Sequence, residues 1–320
     1  MRPMFDVAIV GGGPAGLSAA IWLARYLHSV VLIDSGDPRN WETRGVNGFL
    51  GLPHIRPANL RALGREECRW YGVELVDDIV VAVGKASDDK FSLQMVSGEP
   101  LRAQRLLLAI GIRDVWPDIP GLDHTFGQNA HVCPDCDGYE ARGKKIVVIG
   151  NGRRAVGMAL NLTTWTRDII ICTNGQPSEF DLPEYCEKLD ALNIPVLTQP
   201  ILRVVCEGHA IHSLELADGM QLDAEKIFLA IGQFPADDAG TKLSLQLGCE
   251  RDDEGHVVID GHYHTSVQNV YAAGDIVPGP QLAIAGASDG AFAALAIHKS
   301  LVPENQRLAP RDQALTTSGA

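Results

Sequence analysis

Val7-Ala8-Ile9-Val10-Gly11-Gly12-Gly13-Pro14-Ala15-Gly16 opens the chain with an apolar run that breaks into glycines. The run reads as a short buried strand and the glycines as a tight turn. Ala15 to Tyr26 then reads as a helix, with apolar residues at Leu17, Ala20, Ile21 and Ala24. A second strand, Val30 to Ile33, ends in Asp34, 21 positions after Gly13. That is a complete βαβ unit with its acid at the distance where a carboxylate meets an adenosine ribose. A bare glycine pattern arises by chance, whereas strand, turn, helix, strand and acid in order specify a dinucleotide-binding fold.

The pattern returns further on. Lys145 to Ile149 is a strand, Gly150-Asn151-Gly152-Arg153-Arg154-Ala155 a second turn, Arg154 to Leu162 a helix, and Asp168 to Cys172 the next strand. Leu108-Ala109-Ile110-Gly111 is echoed by Leu229-Ala230-Ile231-Gly232. These repeats predict an α/β protein with two Rossmann-like domains. Val270-Tyr271-Ala272-Ala273-Gly274-Asp275 reads as one more strand of the first copy, so the second copy is inserted in the first. The expected division is 1–113 with 243–320 for the first unit and 114–242 for the insert, with linkers near Arg113 to Pro117 and Pro235 to Lys242. Leu301 to Ala320 is polar, lacks aromatics and is expected to be a loose tail.

A chain of 320 residues is long enough for two such units, and 46% hydrophobic content suits a globular enzyme. Its apolar runs, such as Leu106 to Ile112, fall short of the ~20 residues a membrane span needs. Phe5 to Ala24 contains a glycine turn where a signal peptide has an unbroken apolar run, so a cytoplasmic protein is expected. Forty acidic against 27 basic side chains give a net charge of −13, which argues against nucleic-acid or anionic-membrane partners. The deficit belongs to the second part: residues 1–150 hold 16 basic and 18 acidic side chains, the remainder 11 and 22.

Of seven cysteines, Cys68, Cys172, Cys186, Cys206 and Cys249 stand alone and are expected to be small apolar residues. The other two form Cys133-Pro134-Asp135-Cys136, followed by Asp137, between the two glycine turns. A structural zinc site needs a second ligand pair of comparable spacing, and there is no other CxxC, so no metal is expected. Two cysteines separated by two residues close a small reversible disulfide, and a dinucleotide fold on either side can supply its redox cofactor. The combination predicts a flavin exchanging electrons with a disulfide.

The GGGPAG turn, the CxxCDG tetrad, the central second turn and the late Ala273-Gly274-Asp275 together resemble low-molecular-weight thioredoxin reductases over nearly the whole chain. The resemblance implies an FAD-containing homodimer in which a split FAD domain holds an inserted pyridine-nucleotide domain carrying the redox disulfide. It places Gly11, Gly13 and Gly16 at the FAD pyrophosphate, which a helix N-terminus favours, and Asp34 at the ribose. Gly274 and Asp275 fall at the ribityl chain, Asn47 near the flavin, and Gln281, Leu282 and Ala283 at the pyrimidine end of the ring. It makes Cys136 the flavin-proximal sulfur, Cys133 the outer thiol that exchanges with substrate, and Asp137 the general acid and base. A thioredoxin-like protein or a small dithiol is the implied partner.

One departure stands out. NADPH-using members follow the second nucleotide strand with a basic cluster, and an NADH site has an acid there, but this chain has Cys172-Thr173-Asn174-Gly175. Arg153 and Arg154, on the turn, are the only nearby cations. NAD(P)H is therefore a doubtful cofactor, and the leading expectation is a disulfide reductase fed by ferredoxin or another flavin carrier. The alternatives are a small-molecule dithiol oxidase using oxygen, an atypical NADPH-dependent reductase relying on Arg153 or Arg154, and a non-catalytic flavin redox sensor. Many such oxidases carry histidine after the second cysteine, where this chain keeps Asp137. His131 reads as a proton relay or as a loop histidine that is solvated or hydrogen-bonded, and Trp116 and Tyr139 as stacking groups or core. His262-Tyr263-His264 reads as an alternating strand without a third metal ligand.

Overall fold

The computed structural model describes residues 4–307 except 41, 87 and 237–239. The expected tail beyond 307 and the middle of the expected Pro235 to Lys242 linker lie outside the described residues. The chain begins with β1 (Phe5–Val10), α1 (Pro14–Arg25), β2 (Val30–Asp34), α2 (Pro57–Trp70), β3 (Glu74–Asp77), β4 (Val80–Lys85), β5 (Phe91–Met95) and β6 (Leu101–Leu108). It continues through β7 (Ile112–Asp114), β8 (Ala130–His131), α3 (Pro134–Asp137), β9 (Ile146–Gly150), α4 (Gly152–Leu162), β10 (Ile169–Cys172), α5 (Pro183–Ala191) and β11 (Val196–Leu197). There follow β12 (Ile201–Glu207), β13 (Ala210–Leu216), β14 (Gln221–Asp223), β15 (Lys226–Ala230), β16 (Gln233–Pro235), α6 (Leu243–Leu247), β17 (Val270–Ala272) and α7 (Ala283–Leu301).

The first sheet has the order β3-β2-β1-β6-β5-β4, and β17 pairs in parallel with β6, at Val270–Leu106 and Ala272–Leu108. The late strand expected from Val270 onward thus joins the sheet that β1 begins. The second sheet is wholly parallel, in the order β11-β10-β9-β15-β8. Apolar side chains pack against both faces of each sheet, which explains why these strands read as unbroken hydrophobic runs. An antiparallel ribbon, β12-β13-β14, flanks the second sheet, and β7 pairs with β16.

Helix α1 carries Pro14 in its first turn, where no hydrogen bond is lost, and a run of small residues that lets α7 approach closely. A Cβ on Gly290 of α7 would lie 2.0 Å from the carbonyl oxygen of Ala15. The second glycine turn enters its helix earlier than expected, at Gly152 instead of Arg154, because Asn151 caps it. His262 to His264 is a turn, not the expected strand: Asp260 accepts from the backbone N–H of both histidines, and Tyr263 has φ 64°. Among the described residues no helix is long and apolar enough to cross a membrane.

Candidate active site

The glycine turn after β1 presses against the end of β6. Gly11 has φ 109°, and a Cβ there would lie 2.2 Å from the Ala109 carbonyl oxygen, so only glycine fits. Beyond it opens a cleft of about 840 Å³. Gly11, Gly13 and Asp34 line one end, Cys133, Cys136, Asp137 and Asn47 the other, and Gly274, Asp275, Gln281, Leu282 and Ala283 the wall between. Of the residues expected at a cofactor, Gly16 alone is not on this wall. It serves the turn itself, since its Cβ would fall 1.9 Å from the Gly11 oxygen. The N-cap of α1, Gly13, has no side chain to bond the first-turn amides, and Leu282 at the start of α7 makes no side-chain cap either.

Cys133 and Cys136 are joined as a disulfide with their Cα atoms 5.3 Å apart. Cys133 is the N-cap of α3 and its sulfur accepts from the Cys136 N–H at 3.1 Å, so a backbone amide is aimed at the sulfur where thiolate charge develops. Gly138 closes this short helix under Trp165, whose ring a Cβ would meet at 2.5 Å. Asn161 of α4 donates to Asp135 at 3.1 Å. Asn47 donates to the Cys136 carbonyl at 3.0 Å, and its own oxygen lies 2.8 Å from His54 Nδ1. Asp137 Oδ2 lies 3.3 Å from Nδ1 of His131, whose side chain is only 5% exposed, so His131 is not a solvated loop residue. On the far side of that ring, Lys226 Nζ lies 3.5 Å from Nε2 and donates to the Gln128 carbonyl at 3.2 Å. Burial pushes the Lys226 amine below its usual range, with the Asp137 charge pulling the other way.

At the opposite end, Asp34 is buried and paired with Arg61 and, at 3.5 Å, with Arg65, both on α2. Arg61 also donates to the Gly12 carbonyl at 3.3 Å. Along the middle wall Arg39 grips Asp114 with two bonds of 2.8 and 2.7 Å and donates to Gln281 at 3.0 Å. Gln281 donates to Gln233 at 2.8 Å, and Gln233 donates back to Asp114 at 2.9 Å, closing a ring. Asp114 belongs to β7 and Gln233 to β16, so the ring ties both strands to the cleft. Burial raises the Asp275 carboxyl above the ordinary range, against the pull of Arg39 at 3.5 Å.

The second glycine turn borders a smaller cleft of about 330 Å³, and no basic residue lines it. Asn151 Oδ1 accepts from the N–H of Gly152 at 3.0 Å and of Glu179 at 3.1 Å, while its amide donates to the Pro177 carbonyl at 2.6 Å. This folds the 176–179 segment over the start of α4. Arg154 donates to the carbonyl of Ile231, a lining residue of this cleft, at 3.0 Å and lies 3.6 Å from Glu254. Trp116 lines this second cleft, edge-on to Phe126 at 4.4 Å. Tyr139 is on the first cleft, exposed, with the Arg142 guanidinium 4.2 Å over its ring, so core packing is not its use.

Arg39, Arg61, Glu179 and Lys226 carry much of this geometry, and sequence reading assigns none of them a role. Their partners stand 27 to 242 positions away, and no local pattern marks such pairs. Among the described residues no group of three or more His, Cys, Asp or Glu side chains is placed to hold a metal ion.

The family model described as pyridine nucleotide-disulphide oxidoreductase matches residues 5–290. The chain is 31% identical over 280 residues to the thioredoxin reductase tcpT of Claviceps purpurea, covering 84% of this chain and 86% of that protein. Its fold matches the crystal structure of HlmI with a TM-score of 0.88 at 33% identity, over 99% of this chain and 98% of that one. A putative thioredoxin reductase TrxB from Bacillus anthracis matches with a TM-score of 0.85 at 31% identity, over 92% and 98%.

Proposed function

We propose, from the premise that the chain belongs to the pyridine nucleotide-disulphide oxidoreductase family and is thioredoxin-reductase-like, that FAD occupies the larger cleft and trades electrons with the Cys133–Cys136 disulfide. The observation that carries this is the position of the disulfide on the same wall system as Gly11, Gly13 and Asp34. The uncapped start of α1 suits a pyrophosphate, because free amides and the helix dipole favour negative charge there. Asp34 and Arg61 would hold the adenosine end, and Gly274, Asp275 and the start of α7 the rest. When bound, FAD supplies a two-electron carrier beside the sulfur pair. Cys136 faces it, Cys133 exchanges with the substrate disulfide, and Asp137 holds the proton that accompanies thiol formation.

The donor is a carrier other than NADPH, of the ferredoxin or flavin type, and the acceptor a thioredoxin-like protein. The smaller cleft supports the first half: it has no basic lining residue, and α4 is capped by Asn151 with Glu179 folded over it. A second reading, oxidation of a small dithiol with oxygen as acceptor, draws on the Arg39 ring. With β7 and β16 both tied to the cleft, a small dithiol can meet the disulfide where it lies.

Anaerobic titration of the yellow protein with NADPH, NADH and reduced ferredoxin, followed by its visible spectrum, separates these. Bleaching by reduced ferredoxin but not NADPH is expected; bleaching by micromolar NADPH overturns the donor assignment. Peroxide release with a small dithiol, without thioredoxin reduction, transfers the assignment to the oxidase. A folded, colourless protein that takes up no flavin overturns both.

A further inference from the structure

The Lys226–His131–Asp137 chain runs from the edge of the second sheet to the residue beside the redox sulfurs. β15 begins at Lys226 and pairs with β8, which ends at His131, so both side chains are delivered by adjacent parallel strands. Both are buried, at 9% and 5% exposure. A buried amine and a buried imidazole cost free energy unless each has a partner. Here the partners fix one direction. Lys226 Nζ has only protons to give, so Nε2 of His131 accepts, its proton sits on Nδ1, and Nδ1 donates to Asp137 Oδ2. The ring is also held by Phe228, with centroids 5.4 Å apart. Asp137 Oδ1 has no hydrogen-bond partner among the described residues.

We propose that His131 and Lys226 are positioning residues for Asp137, pinning Oδ2 and leaving Oδ1 to serve the cysteine pair. This rests on the reading of Asp137 as the proton-holding group. With a reduced flavin bound, the disulfide would take two electrons and the S–S bond would break. One sulfur leaves as a thiolate, the other takes the proton of the Asp137 carboxyl, and Asp137 becomes a carboxylate. In the oxidising direction the reduced cysteine pair would give two electrons back to an oxidised flavin, the S–S bond would re-form, and the Asp137 carboxylate would take the thiol proton. The Lys226 N–H on the far side of the ring keeps His131 in the tautomer that donates through Nδ1. The other charged groups acting on Lys226 are Arg44, Glu140 and Lys144, and Asp135 beside the sulfurs is held by Asn161.

The test needs no turnover. In the reduced holoprotein, the rate of iodoacetamide alkylation of Cys133 and Cys136 against pH reports the thiolate fraction of the pair. Asp137→Asn should displace this profile. His131→Phe, which keeps the contact with Phe228, and Lys226→Met should displace it in the same direction. His131→Gln, which can still donate to Oδ2, should restore most of it. In reduction of a disulfide substrate, His131→Phe should lose roughly tenfold, a part of the ~10²-fold or more that a missing general acid costs. A His131→Phe profile superimposable on the wild type, with Asp137→Asn displaced, overturns the positioning role and leaves Asp137 in place. If His131→Phe does not fold, the same comparison with Lys226→Met decides. An Asp137→Asn profile that coincides with the wild type removes the role of Asp137 and the positioning role with it.

Discussion

The Glu179 carboxylate lies against Gly152 at the start of α4, with Oε2 2.8 Å from where a Cβ on that glycine would stand. In a dinucleotide-binding turn this is where the backbone meets a pyrophosphate. Glu179→Ala should therefore raise NADPH affinity by roughly tenfold, about 1.4 kcal/mol for relief of one like-charge contact. Calorimetric titration of both proteins with NADPH checks it; equal heats would mean that Glu179 does not guard the turn.

Arg39→Ala should cost about 3 kcal/mol of stability. The change leaves Asp114, whose side chain is 2% exposed, without its bidentate partner, and an uncompensated buried carboxylate is expensive. Urea unfolding measures this. Released β7 and β16 should also become more sensitive to proteolysis than in the wild type.

Gly290→Ala puts a methyl into the Ala15 carbonyl, and α1 and α7 must move apart. Overpacking of this kind costs about 1–3 kcal/mol. Because α1 starts at the cleft, flavin release on dilution should quicken along with the drop in the unfolding midpoint.

Cys136→Ser separates chemistry from stability. The disulfide spans a sequence separation of only 3, and so short a loop contributes about 2 kcal/mol in the chain-entropy account. Disulfide reduction should vanish, while the melting temperature falls by a few degrees and flavin stays bound.

His28 Nε2 lies 3.0 Å from His298 Nδ1, and burial holds the His28 imidazole below its ordinary 6.5. Its unfolded form binds a proton more readily than its folded form. The stability it contributes is complete above pH 6.5 and is lost as pH falls through that value toward the lower folded one. The Asp6 charge opposes the shift and His298 adds to it. Melting temperatures at pH 7.5 and 5.5 should differ less in His28→Gln than in the wild type.

Much of the architecture was legible because it rests on short-range chemistry. The turn at Gly11 to Gly13, the following helix and Asp34 declare themselves within one βαβ unit, and the Cys133–Cys136 disulfide follows from the spacing of the tetrad. The cleft brings together every expected site residue but Gly16, whose small size serves the turn. What stayed hidden depends on the tertiary fold. Nothing near Arg39 in sequence announces Asp114 or Gln281, and nothing near His131 announces Lys226. The His262 to His264 alternation misled because Asp260 binds both backbone amides and bends the chain.

Helix α4 touches the sulfur pair's loop twice, through Asn161 on Asp135 and through Trp165, just past its end, on Gly138. The helix that follows the second glycine turn is thereby also a mechanical bench for the tetrad. Lesions along α4 should accordingly surface as altered sulfur reactivity.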